Sequence, residues 1–142
     1  MDSQFLRSVT INTGAGRDMV YTGGSEFSRR GGSFSLQTGS EGDGVYMSAW
    51  TDYDPVTFWR GVSVDLGAGD DTLLIGMSPA GTGDANTYVR FESPTSRATF
   101  TGGTGTNTIH RRYENGNPLL TILNQFKLDE IVTLFTPASI NT

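Results

Sequence analysis

The chain contains no cysteine. Disulfides and thiolate metal sites are therefore excluded from its architecture. Lysine occurs once, as Lys127, and the other nine basic residues are arginine. No stretch reaches the roughly 20 consecutive apolar residues of a membrane helix. The first residues, MDSQFLRSVTINTG, lack the charged-then-apolar order of a cleaved leader. The expectation is a cytoplasmic protein, one exported without a leader, or a piece of a longer chain. Basic residues are also outnumbered, with 15 Asp and Glu against 10 Lys and Arg and a net charge of -5. That disfavours nonspecific nucleic-acid binding, which depends on Lys and Arg neutralising phosphates. It equally disfavours anionic membrane surfaces. It suits a hard, oxygen-seeking cation such as calcium.

What is abundant is glycine and threonine, each with 19 of the 142 residues. Straight-chain helix formers are few, so the composition favours strands and tight turns. Repeats come next, because missing them miscalls a fold. One pattern recurs: an alternating apolar strand, a Gly-x-Gly corner, an acidic or amide residue, then a second apolar strand. Its copies are VTINTGAGRDMVY at 9–21, SFSLQTGSEGDGVYM at 33–47, VSVDLGAGDDTLLI at 62–75, the weaker GTGDANTYVRF at 81–91, and ATFTGGTGTNTIH at 98–110. The corner glycines are Gly14, Gly39, Gly67, Gly81 and Gly103. Glycine reaches positive φ at no steric cost, and Asp or Asn can hydrogen-bond the local backbone. Val9 and Ile11, like Val62, Val64 and Leu66, alternate with polar residues, which puts them on one face. One coil cannot bury such a face alone, so coils must stack. Residues 1–142 thus read as one all-β domain, a right-handed parallel β-helix (β-solenoid) of about four or five coils.

Three segments fall outside the pattern. SEFSRRGG at 25–32 reads as a turn region, and SAWTDYDPVTFWRG at 48–61 as an excursion between coils. The apolar stretch 118–137 reads as a C-terminal cap or last coil. Leu120, Leu123, Lys127 and Ile131 have helical spacing, yet LLTIL and EIVTLF are β-branched and of strand length, with NQFKLD as the turn between them. Two strands are the preferred reading.

The corners resemble the RTX nonapeptide, Gly-Gly-x-Gly-x-Asp-x-apolar-x. Residues 13–21 depart from it only at the first Gly and carry Asp18. Residues 66–74 depart at the same place and carry Asp71, while 102–110 keep both glycines but have Asn107 in the Asp position. The Gly39 and Gly81 corners fit with a one-residue insertion, which brings Asp43 and Asp84 near. The resemblance implies calcium held between successive repeats and export without a cleaved leader. RTX nonapeptides run in tandem, whereas these corners are mostly a coil apart. That spacing is closer to the parallel β-helix repeats of bacterial secreted and surface proteins.

Two chemistries are open. Stacking would bring Asp18, Asp43, Asp70 and Asp71 into columns with glycine carbonyls, a set of oxygen ligands for Ca2+. The simpler alternative is that these side chains close the turns. Trp50, Tyr53, Phe58 and Trp59, beside Asp52 and Asp54, could stack a polysaccharide on aromatic faces, or could simply fill the core. No catalytic residue is assigned: His110 is the sole histidine, and neither a Gly-x-Ser-x-Gly elbow nor a Gly-Lys-Ser/Thr phosphate loop is present. The expectation is a non-enzymatic structural or adhesive element, extracellular or on a cell surface. Calcium would stabilise it, and it would associate with itself or other surface proteins through its coil ends, with no nucleic acid and no membrane insertion. The alternative is a carbohydrate-binding or carbohydrate-active β-helix, phage-tail types included. The all-β reading requires a far-UV circular dichroism spectrum dominated by strand; a helix content above about a third contradicts it.

Overall fold

The computed structural model describes residues 3–47, 56–76, 89–92, 98–111, 120–122 and 126–127. Every regular element among them is a β-strand. The strands come in sets of three. The first set is β1 (Ser3–Phe5), β2 (Val9–Asn12) and β3 (Met19–Tyr21), and the second is β4 (Ser25–Phe27), β5 (Ser33–Gln37) and β6 (Gly44–Met47). Next come β7 (Val56–Phe58), β8 (Gly61–Asp65) and β9 (Thr72–Ile75), then β10 (Val89–Phe91), β11 (Ala98–Thr101) and β12 (Asn107–Arg111). Two short strands follow, β13 (Leu120–Ile122) and β14 (Phe126–Lys127).

Through β12 each strand pairs with the one three places on, and β13 and β14 then pair with β11 and β12. The sheets run β1-β4-β7-β10, β2-β5-β8-β11-β13 and β3-β6-β9-β12-β14, and every pairing is parallel. We call each set of three a layer. Register makes like residues meet. Val9, Phe34, Val62, Ala98 and Leu120 stand in one row, and Ile11, Leu36, Val64, Phe100 and Ile122 in another. Between them Thr10, Ser35, Ser63, Thr99 and Thr121 form a polar row. Side chains alternate across a strand, so a period-two sequence gives an apolar face on one side and hydroxyls on the other.

The apolar faces of all three sheets meet in one core. Its aromatic spine is Phe27, stacked on Phe58 with ring centroids 5.0 Å apart, with Phe34 edge-on to both. Phe5 continues the stack onto Phe27 at 5.1 Å, but it belongs to the first layer and is 42% exposed. Fully burying such a ring contributes on the order of 2 kcal/mol.

Several segments differ from the sequence reading. Residues 25–32 are not merely a turn, because Ser25–Phe27 is strand β4 and Phe27 is core. Within 48–61, Val56–Phe58 is strand β7, wholly buried, rather than part of an excursion. Both strands are three residues long, too short for alternation to announce them. The Gly39 corner carries no insertion. Corners 14–18, 39–43, 67–71 and 103–107 are equal in length, and bridges join Ala15, Ser40, Ala68 and Thr104 in a row. Glu41 takes the place that Gly16, Gly69 and Gly105 hold elsewhere, at φ 80°. The Gly103 corner stacks directly on the Gly67 corner, so no separate corner intervenes; Gly81 itself lies outside the described residues. At the C-terminus β13 falls within LLTIL, whereas β14 falls within NQFKLD, the stretch read as a turn. The second expected strand, EIVTLF, lies outside the described residues.

The corner glycines set the closest approach between layers. A Cβ on Gly39, Gly67 or Gly103 would fall onto the carbonyl oxygen of Gly14, Gly39 or Gly67 respectively. Those oxygens accept hydrogen bonds from Ser40, Ala68 and Thr104 at 3.2, 2.9 and 2.8 Å. Gly14 also has positive φ, but a Cβ there meets open space. Gly14→Ala should therefore cost only the left-handed backbone penalty, about 1–2 kcal/mol. Gly67→Ala adds a backbone clash and should exceed about 3 kcal/mol. Urea denaturation of the two variants measures the difference.

Candidate functional site

The last residue of each corner turns inward. Asp18, Asp43, Asp71 and Asn107 stand in one column, joined by the same hydrogen bond three times over. The Asp18 N–H donates to Asp43 Oδ1 at 2.8 Å, the Asp43 N–H to Asp71 Oδ1 at 2.8 Å, and the Asp71 N–H to Asn107 Oδ1 at 2.9 Å. Asp43 and Asp71 are only 3% and 1% exposed. A parallel column of hydroxyls runs beside them. Thr13 Oγ1 donates to the Thr38 carbonyl at 2.9 Å, and Thr38 Oγ1 donates to the Leu66 carbonyl at 2.8 Å.

The four aspartates expected to act together do not share one role. Asp18, Asp43 and Asp71 form the column, whereas Asp70 is exposed and outside it. Asp70 Oδ1 accepts the Thr106 N–H at 2.7 Å and so ties the third layer to the fourth. A groove of about 340 Å³ passes the corner and is lined by Arg17, Asp18, Asp43, Asp70, Tyr46 and Thr72, among others. Among the described residues no three acidic or histidine side chains are grouped so as to hold a metal ion. In the column each Oδ1 of Asp43 and Asp71 is already taken by a backbone N–H. What the column does chemically is bind layer to layer.

It does so at an electrostatic cost. The Oδ2 atoms of Asp18, Asp43 and Asp71 are buried without a hydrogen-bond partner. Burial pushes the Asp71 carboxyl above the usual carboxylate range; the Asp43 N–H pulls it down, and the charges of Asp43 and Asp70 push it up again.

Of the aromatic candidates, Phe58 is buried in the core and takes no part in a surface platform, whereas Trp59 follows β7 and is half-buried. Its backbone N–H donates to the Phe27 carbonyl at 3.0 Å, and the Arg29 guanidinium lies 5.6 Å from its ring centroid, so that face already has a cationic neighbour. Trp50, Asp52, Tyr53 and Asp54 lie outside the described residues. A different aromatic pair emerges: Tyr21 stacks on Tyr46, with centroids 4.8 Å apart and planes 11° from parallel. The Tyr46 ring lies across Gly44, where a Cβ would sit 2.9 Å from Cε2. The sequence signals for these features were Thr at the start of two corners and Tyr two residues after Met19 and Gly44. Neither pattern is distinctive without the register. Compared with family models, with curated proteins and with solved structures, the chain matches none.

The hydroxyl column is open to measurement. Thr38→Val keeps shape but leaves the buried Leu66 carbonyl without this donor, and should cost about 1–3 kcal/mol. Thr13→Val, in the more exposed first layer, should cost less, because water can replace the donor. Chemical denaturation distinguishes the two.

Proposed function

We propose that the chain is a segment of a β-solenoid, three strands to a coil, with a structural and adhesive role. It catalyses nothing in this reading. The return of the chain to the same sheet at every third strand from β1 to β12, in parallel register throughout, supports the solenoid. The resemblance of its corners to repeats of exported proteins supports a place outside the cell or on its surface.

One observation carries the adhesive part. Among the described residues β1, β2 and β3, the first layer, are the outer strands of all three sheets, and no further described strand pairs with their outer edges. The same layer carries Phe5, Leu6, Met19 and Tyr21, which among the described residues are the exposed large apolar side chains, with Met19 at 60% and Tyr21 at 47%. Unpaired edges with apolar side chains are templates for further strands. A second copy of the chain is the proposed occupant, because each layer already receives a layer of the same corner design on its other side.

Sedimentation velocity across a range of concentrations tests this. Concentration-dependent association is expected, and Tyr21→Arg with Met19→Glu should weaken it at least tenfold while leaving the circular dichroism spectrum intact. A monomer at all concentrations, with native spectrum, would end the adhesive reading by self-association. The all-parallel sheets would stand regardless.

A further inference from the structure

Asn107 is an internal reference for the carboxyls stacked below it. Its Oδ1 accepts the Asp71 N–H at 2.9 Å, and its Nδ2 donates to the carbonyl of Gly102, five residues earlier, at 2.8 Å. Both halves of the amide are used. Asp71 and Asp43 occupy the equivalent positions and use Oδ1 in the same way. Their second oxygens are buried and unpartnered. An ionised carboxylate can only accept, whereas a protonated one has an O–H that donates as the amide does. The carbonyl five residues before Asp71 is that of Leu66. It takes the Thr38 hydroxyl at 2.8 Å and, having two lone pairs, has room for a second donor.

We propose that this column is a proton-binding site, in which Asp71 holds its proton on Oδ2 near neutral pH and donates it to the Leu66 carbonyl, as Asn107 donates to Gly102. The groups around it favour this. Asp43 lies in the layer on one side, uncharged Asn107 in the layer on the other, and Asp70 is next in the chain. Asp43 and Asp70 both oppose a charge on Asp71, and burial acts in the same direction. Arg17 is the cation among the residues lining the groove, where it shares the surface with Asp18, Asp43 and Asp70. The proton comes from water, so no other reactant is needed. The inference rests on the pairing of layers and not on self-association.

A carboxyl that binds its proton more tightly when folded gives stability that is full below the unfolded value of about 3.9. That stability is lost as pH rises through the raised folded value. Asparagine at the same place is a permanent donor and has nothing to lose. Thermal melts in EDTA between pH 5 and pH 8 test the proposal. Asp71→Asn should melt several degrees above the unsubstituted chain at pH 8, with the gain shrinking toward pH 5. Asn107→Asp should do the reverse, losing several degrees at pH 8 and recovering them at pH 5. Infrared spectra at pH 7 should show the carbonyl stretch of a protonated carboxylic acid, diminished in Asp71→Asn. The proposal is overturned if Asp71→Asn fails to fold or melts lower at every pH, or if the protonated band is missing at pH 7.

Discussion

Where one layer's corner crosses the next, backbone touches backbone with no side chain between. The carbonyl of each corner glycine points at the glycine of the following layer and hydrogen-bonds the residue beside it. A β-carbon would have to occupy the oxygen's place. Everything else in the fold is arranged around that contact. It holds the strands on either side of the corner in register, and register turns alternating sequence into continuous apolar and polar rows. The phenylalanine stack, the hydroxyl column and the acid column all follow from repetition at one height per layer.

The acid column shows how such a constraint recruits chemistry. A tight corner leaves backbone N–H groups facing inward, and a buried N–H must find an acceptor. Asp and Asn supply one from the neighbouring layer, so the polar groups of one corner are satisfied by the side chain of another. The arrangement is complete at Asn107 and incomplete at Asp43 and Asp71, where half of each carboxyl is desolvated with no partner. Replacement by the amide would be the simple route to a static scaffold. Retaining the acid makes the cohesion of the middle layers answerable to their surroundings.

Much of this was legible from residues alone. Strands with strict alternation, such as Val62–Leu66, and the glycines at 14, 39, 67 and 103 are visible because their physical requirement acts on residue type. The stacking of Asp18, Asp43 and Asp71 could be read from the repeated corners, whereas the equal length of the Gly39 corner and the membership of Asn107 emerge only from the pairing of layers. Strands β4 and β7 could not, since three residues carry no period, and tertiary pairing makes them strands. Glu41 was missed for a different reason. A left-handed backbone position prefers glycine but does not demand it, and the neighbouring layers hold Glu41 there at a cost of about 1–2 kcal/mol. Asp70 was grouped with its neighbour Asp71, although adjacent residues leave a turn in different directions.

The four corners are equal in length, yet the chain between them is not: successive column residues are 25, 28 and 36 positions apart. Each corner thus works as a reset. Whatever length is gained or lost elsewhere in a layer is absorbed before the chain reaches the next glycine, and errors of phase do not accumulate along the stack. The rest of each layer differs in length while the spacing is kept by five residues. The differences in length between layers accordingly lie outside the corner, in the segments that connect the other strands.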